Sequence, residues 1–162
     1  MQQAAAARSR ALTVVLEGAS LPPGVEHVVS PLVPEVERVT PLGQLGGGSV
    51  DEILEELART AARQSLLVIS ARGLVDRRGS VVRGGALLGQ RIAMVSILGL
   101  AASELEGVIR HEMAHAWGLE HCSDASCALS DRPSPQSIAD RGSELCLACR
   151  GEWESRIGVG LP

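Results

Sequence analysis

Seven of the eight histidine and cysteine residues in this 162-residue chain fall between His111 and Cys149, and only His27 lies elsewhere. That concentration of metal-seeking side chains limits the fold more than any other feature. The backbone has to bring those seven groups together, while the rest of the chain supplies a core to hold them. With 45% apolar residues, 162 residues suffice for one domain with its own core.

The segments upstream alternate between strand and helix signals. Ala11 to Leu16 (ALTVVL) is a β-branched apolar run that predicts a buried strand. Val25 to Val29 and Val33 to Val39 predict further extended segments, and the glycine-rich stretch Pro41 to Gly48 a flexible connection. Ser49 and Glu52 form a capping-box pattern that opens a helix, with Ile53, Leu54, Leu57, Ala58 and Ala61 along one face. Ser65 to Ser70 and Ile92 to Leu98 predict strands, and residues 72–89 between them a loop with one short strand at Val81 and Val82. Ser103 is placed to cap a second helix with Glu104 and Glu106 in its first turn, and Glu144 to Arg156 predicts a C-terminal helix. These elements define an α/β (α+β) fold class.

The second helix runs into His111-Glu112-Met113-Ala114-His115. Residues four apart on a helix lie about 6 Å apart along its axis and share a face, so both imidazoles can reach one ion. Gly118 can stop the helix in a left-handed conformation, and His121 then arrives as a third ligand, completing HEMAHAWGLEH. Three protein ligands leave one tetrahedral position of a zinc ion open, which is the catalytic arrangement, and Glu112 beside them is placed as general base and then general acid. Cys122, Cys127, Cys146 and Cys149 form two close pairs suited to a second, structural zinc, with a disulfide or redox pair as the alternative.

The full run, HExxHxxGxxHC-x4-C followed by CxxC, resembles the archaemetzincin family of metzincin-clan zinc metalloproteases. The resemblance covers Ser103 to Cys149. It implies a metzincin-like twisted mixed β-sheet, an active-site helix and a small zinc-stapled C-terminal subdomain, with the chain dividing near residue 118 into parts of about 1–118 and 119–162. It also implies two Zn2+ ions, a catalytic one on His111, His115 and His121 and a structural one on Cys122, Cys127, Cys146 and Cys149. The activity implied is hydrolysis of a peptide or protein substrate, and a non-catalytic, zinc-stabilised peptide- or protein-binding module is the alternative. Three features depart from the family pattern. Leu129 stands where the family has Met beneath the catalytic zinc, the spacing before CxxC is one residue shorter with Pro133 and Pro135 in it, and Gly99 replaces an Arg near the end of the preceding strand.

Composition narrows the remaining classes. The sequence has no Phe, Tyr, Lys or Asn, two Trp, and a net charge of -4. It therefore lacks both the stacking platforms and the basic footprint of nucleic-acid binders. No run approaches the roughly 20 apolar residues of a membrane span, and the first ten residues carry no signal-peptide core, so the expectation is a cytoplasmic monomer with reduced thiols. The absence of Tyr also excludes a tyrosine donor to an oxyanion, leaving zinc, Arg, His or backbone N–H groups. Trp117 and Trp153 are expected as packing anchors, His27 as a surface residue, and Arg72, Arg77, Arg78 and Arg83 as a solvated loop.

Overall fold

The computed structural model describes residues 12–17, 36–42, 46–60, 65–130 and 144–157, with the backbone alone at 36–42. The predicted segment Val25 to Val29, and with it His27, lies outside the described residues, as do Ala61, Pro133 and Pro135. In chain order the elements are β1 (Leu12–Glu17), β2 (Val36–Leu42), α1 (Val50–Thr60), β3 (Ser65–Ser70), β4 (Leu74–Val75), β5 (Val81–Val82), β6 (Gly84–Leu87), β7 (Ile92–Ser96), α2 (Ala102–Ala116) and α3 (Leu147–Ile157).

Among the described residues five strands form one sheet in the order β2-β1-β3-β7-β6, parallel except for β6, which runs antiparallel to β7 at the edge. The period-2 pleat explains why β1, β3 and β7 are apolar almost throughout. Leu12, Val14, Leu16, Leu67, Ile69, Ala93 and Val95 face α2, Trp117 and Trp153. Val15, Leu66, Val68, Ile92 and Met94 face the other way, onto Val50, Ile53, Leu54 and Leu57 of α1. Helices thus cover both faces of a mixed sheet. Leu119, Cys127, Leu129 and Leu145 belong to the α2-side core, so the segment after the ligand helix is packed on the same sheet.

The capping box at Ser49 forms as the sequence predicts: the Ser49 N–H donates to Glu52 Oε2 at 2.8 Å, and the Glu52 N–H reaches Ser49 Oγ at 3.4 Å. Other boundaries shift. Helix α2 starts two residues early, with Ala101 as N-cap, because Glu104 reaches back to accept the Ala101 N–H at 2.7 Å and supplies the cap that Ser103 was expected to give. Pro41 and Leu42 extend β2 instead of lying in a loop, which proline tolerates best on a strand at the end of a sheet order. β7 ends at Ser96, whose hydroxyl donates to the Arg72 carbonyl at 2.7 Å and turns the chain away. Residues 72–89 hold three strands, not one. An Asx turn at Asp76 closes β4 onto β5, and β6 carries two glycines that hide it from a propensity reading. The last helix begins at Leu147, so Glu144 and Leu145 precede it. Among the described residues no helix is long and apolar enough to cross a membrane.

Candidate metal centre

α2 presents His111 and His115 through the way it ends. Trp117 is the C-cap and Gly118 follows at φ 94°, with its N–H on the His115 carbonyl at 2.8 Å and the Leu119 N–H on the Ala114 carbonyl at 3.0 Å. This is the Schellman arrangement, which satisfies the last carbonyls and sends the chain back along the helix. The β6–β7 turn helps, its Gly89 and Arg91 N–H groups donating to the His115 and Ala116 carbonyls at 3.0 and 2.7 Å. Gly118 is needed twice over, since its φ is left-handed and a Cβ there would stand 2.5 Å from Arg156 Nη1.

The reversal brings His121 onto His111 and His115. Ligand atoms of the three imidazoles lie within 4.8 Å of one another, and the His115 and His111 Nε2 atoms are 3.1 Å apart. Each Nδ1 on the helix sits 2.7 Å from a carbonyl, His111 from Ala128 and His115 from Leu119. A donated Nδ1–H fixes the tautomer that leaves Nε2 as the lone-pair donor, the usual outer arrangement around a metal-binding histidine. Tetrahedral nitrogen ligands about 2.0–2.1 Å from a zinc ion stand about 3.3–3.4 Å from one another, so the cluster is close to the spacing the ion requires. Burial lowers the His115 pKa below its ordinary value, against the Leu119 carbonyl, which raises it, and with help from the nearby His121 charge. The neutral, ligating form is favoured. His121 is exposed, so the cluster opens to solvent.

Glu112 lies half-buried beside this cluster, against edge strand β6. A Cβ on Gly84 would stand 2.8 Å from Glu112 Cγ and 2.8 Å from the Met94 carbonyl oxygen, so the carboxylate arm occupies space that any other residue would fill. Sequence reading missed Gly84. The Gly84-Gly85 pair inside an extended segment was the available signal, since glycine in a strand marks close backbone approach.

The four cysteines form a second cluster, their sulfurs within 4.8 Å of one another. Cys122 and Cys146 Sγ are 3.8 Å apart. Tetrahedral thiolates about 2.3 Å from zinc are about 3.8 Å apart, whereas bonded disulfide sulfurs are about 2.0 Å apart, so this spacing fits a metal and not a bridge. Burial pushes the Cys127 and Cys149 thiols up, while the Cys149 N–H draws Cys146 down. Crowded, partly desolvated thiols of this kind ionise together only beside a cation.

Two of the three departures from the family pattern lie among the described residues. Leu129 is fully buried, and its carbonyl accepts the Cys122 N–H at 2.8 Å. Gly99 has φ 70°, which favours glycine, and the Arg83 guanidinium lies 3.7 Å from where its Cβ would be while donating to the Leu98 carbonyl. Arg72 pairs with buried Glu17 at 3.2 Å and Arg77 with Glu55, so three of the four loop arginines have specific partners. Trp117 and Trp153 are buried with ring centroids 6.0 Å apart, as packing anchors.

Sheet, helix α2 and C-terminal cysteine cluster define a mixed α/β fold. No family model matches the sequence. It is 25% identical over 115 residues to an archaemetzincin of Haloquadratum walsbyi, a match covering 61% of this chain and 66% of that protein, so the chain spans just under two thirds of that relative's length. In fold it is similar to the crystal structure of an archaemetzincin from Methanopyrus kandleri, with a TM-score of 0.72 at 18% identity over 93% of this chain and 97% of that one. A zinc-dependent peptidase from Methanocorpusculum labreanum has a TM-score of 0.67 at 14% identity, over 87% and 99% of the two chains. In sequence and in fold the chain is thus similar to archaemetzincins.

Proposed function

We propose that the chain is a zinc metallopeptidase acting on peptide or protein substrates. The observation that carries the reading is the meeting of three imidazoles at a spacing a metal requires, with Glu112, the residue after His111, packed against Gly84 of β6. His111, His115 and His121 would hold one ion, and Cys122, Cys127, Cys146 and Cys149 a second, structural one. When bound at the histidines, zinc supplies Lewis acidity, polarising a scissile carbonyl and making water nucleophilic near neutral pH.

The chain's own groups supply the rest. Glu112 takes the proton of the attacking water on a carboxylate oxygen and later gives it to the leaving amine. The Ala128 and Leu119 carbonyls keep the His111 and His115 rings in the ligating tautomer. β6 is the sheet's edge strand beside Glu112, so its outer edge can pair with an extended peptide and hold it along the cluster. A quenched peptide library incubated with the intact chain tests this reading. Hydrolysis that stops with a chelator and returns on adding zinc is expected, and cleavage unaffected by metal removal would contradict it.

A further inference from the structure

The two clusters meet at one short stretch of backbone. Ala128 follows Cys127, and its carbonyl is the atom 2.7 Å from His111 Nδ1. The Ala128 N–H donates to the Glu144 carbonyl at 2.8 Å, two residues before Cys146. The Cys146 N–H points back at Cys127 Sγ at 3.4 Å, and the Cys122 N–H holds the Leu129 carbonyl at 2.8 Å. Glu144 is pinned in turn from α2: buried Arg110, the residue before His111, contacts its carboxylate at 3.0 Å and that of Glu106 at 2.9 Å. The carbonyl that orients His111 is thus fixed by the cysteine cluster on one side and by Arg110 through Glu144 on the other.

We propose that the four-cysteine cluster and the Arg110–Glu144 pair set the metal affinity of the three-histidine site, acting through the Ala128 carbonyl on His111. The proposal rests on the reading of both clusters as metal sites. Arg110 is then a positioning residue, since it touches neither metal nor substrate. With the cysteines filled, residues 127–129 are held in place and the His111 ring is already turned toward its partners. With them empty, binding at the histidines also has to order that stretch. Because the coupling is thermodynamic it is reciprocal, so filling the histidine site strengthens the cysteine site by the same factor.

Cobalt titration of the intact chain tests this, because thiolate-to-cobalt charge-transfer bands report the cysteine site while ligand-field bands that vanish in His115→Ala report the histidine site. Two variants disturb the link from opposite ends: Cys146→Ser/Cys149→Ser removes two thiolates without altering the stretch carrying His121 and Ala128, and Arg110→Met leaves every cysteine in place. Both are expected to weaken cobalt binding at the histidines by about 10- to 100-fold, the usual cost of losing an outer-shell partner. Arg110→Met should keep its charge-transfer bands, and His115→Ala should weaken the cysteine site by a matching factor. If the double cysteine variant does not fold, Arg110→Met decides alone. A histidine-site affinity within twofold of the unsubstituted chain in the folded variants would overturn the coupling and leave the metal-site reading intact. An unsubstituted chain with no bands that depend on His115 would overturn both.

Discussion

Glu112 is held in place by an atom its neighbour lacks. A Cβ at Gly84 would meet both the Glu112 side chain and the Met94 carbonyl, so the position of the proposed base depends on a residue with no side chain. Gly84→Ala is expected to displace the carboxylate and lower peptide turnover roughly 100-fold, the scale of a misplacement of about 1 Å. Zinc content should not change. Gly85→Ala is the control, because its Cβ would meet only Val50 and Leu54 side-chain atoms at 3.2–3.4 Å. Equal losses in both variants would argue that the strand and not the close approach matters, and undiminished turnover in Gly84→Ala would contradict the close-approach role. At this scale the meeting of His111, His115 and His121 was legible in the sequence because its spacing is local: four residues on a helix and three past a glycine. Gly84, Arg110 and Ala128 were not legible, because each acts across 17 to 34 positions of sequence or through backbone atoms common to every residue.

The elements that position the site are set by their ends. Gly118→Ala puts a side chain at φ 94° and against Arg156, so a loss of at least about 1 kcal/mol in denaturant unfolding is expected, together with weaker zinc binding as His121 shifts. A variant of unchanged stability and zinc affinity would show that α2 can end some other way. α1 gives a test remote from the metals. Ser49→Ala removes the N-cap hydroxyl and should cost about 1 kcal/mol with no change in zinc content. Hydrogen bonds from Ser49 hold the Glu52 carboxyl below its ordinary pKa of 4.5. A depressed carboxyl contributes its stability above the unfolded pKa and loses it as pH falls through the folded value. The stability gap between the unsubstituted chain and Ser49→Ala should therefore be full above pH 4.5 and shrink on acidification, and a gap that grows toward acid would contradict the cap. The sequence identified α1 because its periodicity is strong, and β1, β3 and β7 because each is a short, nearly continuous apolar run. β4 and β6 escaped because two residues, or four containing a glycine pair, give periodicity nothing to act on, and tertiary pairing alone makes them strands.

At the scale of the whole molecule, one apolar layer runs from β1 through α2 to Leu145 and Trp153, so the cysteine-bearing segment packs on the sheet that also supports the histidines. The mixed sheet and its edge strand followed from no single sequence feature. Strand order depends on crossovers that local patterning does not encode, whereas the bunching of seven His and Cys residues within 39 positions pointed directly to the two clusters that the fold assembles. Chelation should lower the thermal midpoint and loosen the C-terminal segment first, read as amide exchange at residues 122–130 and 144–150. Equal midpoints with and without metal would assign the cysteines no stabilising part. The most direct test of the account is peptide turnover by the intact chain, made metal-free and titrated with zinc. The account predicts no turnover without metal and full turnover once two equivalents are bound, with Glu112→Gln binding the same two equivalents but losing at least about 100-fold in rate. Turnover by the metal-free chain, or Glu112→Gln as active as the unsubstituted protein, would contradict it.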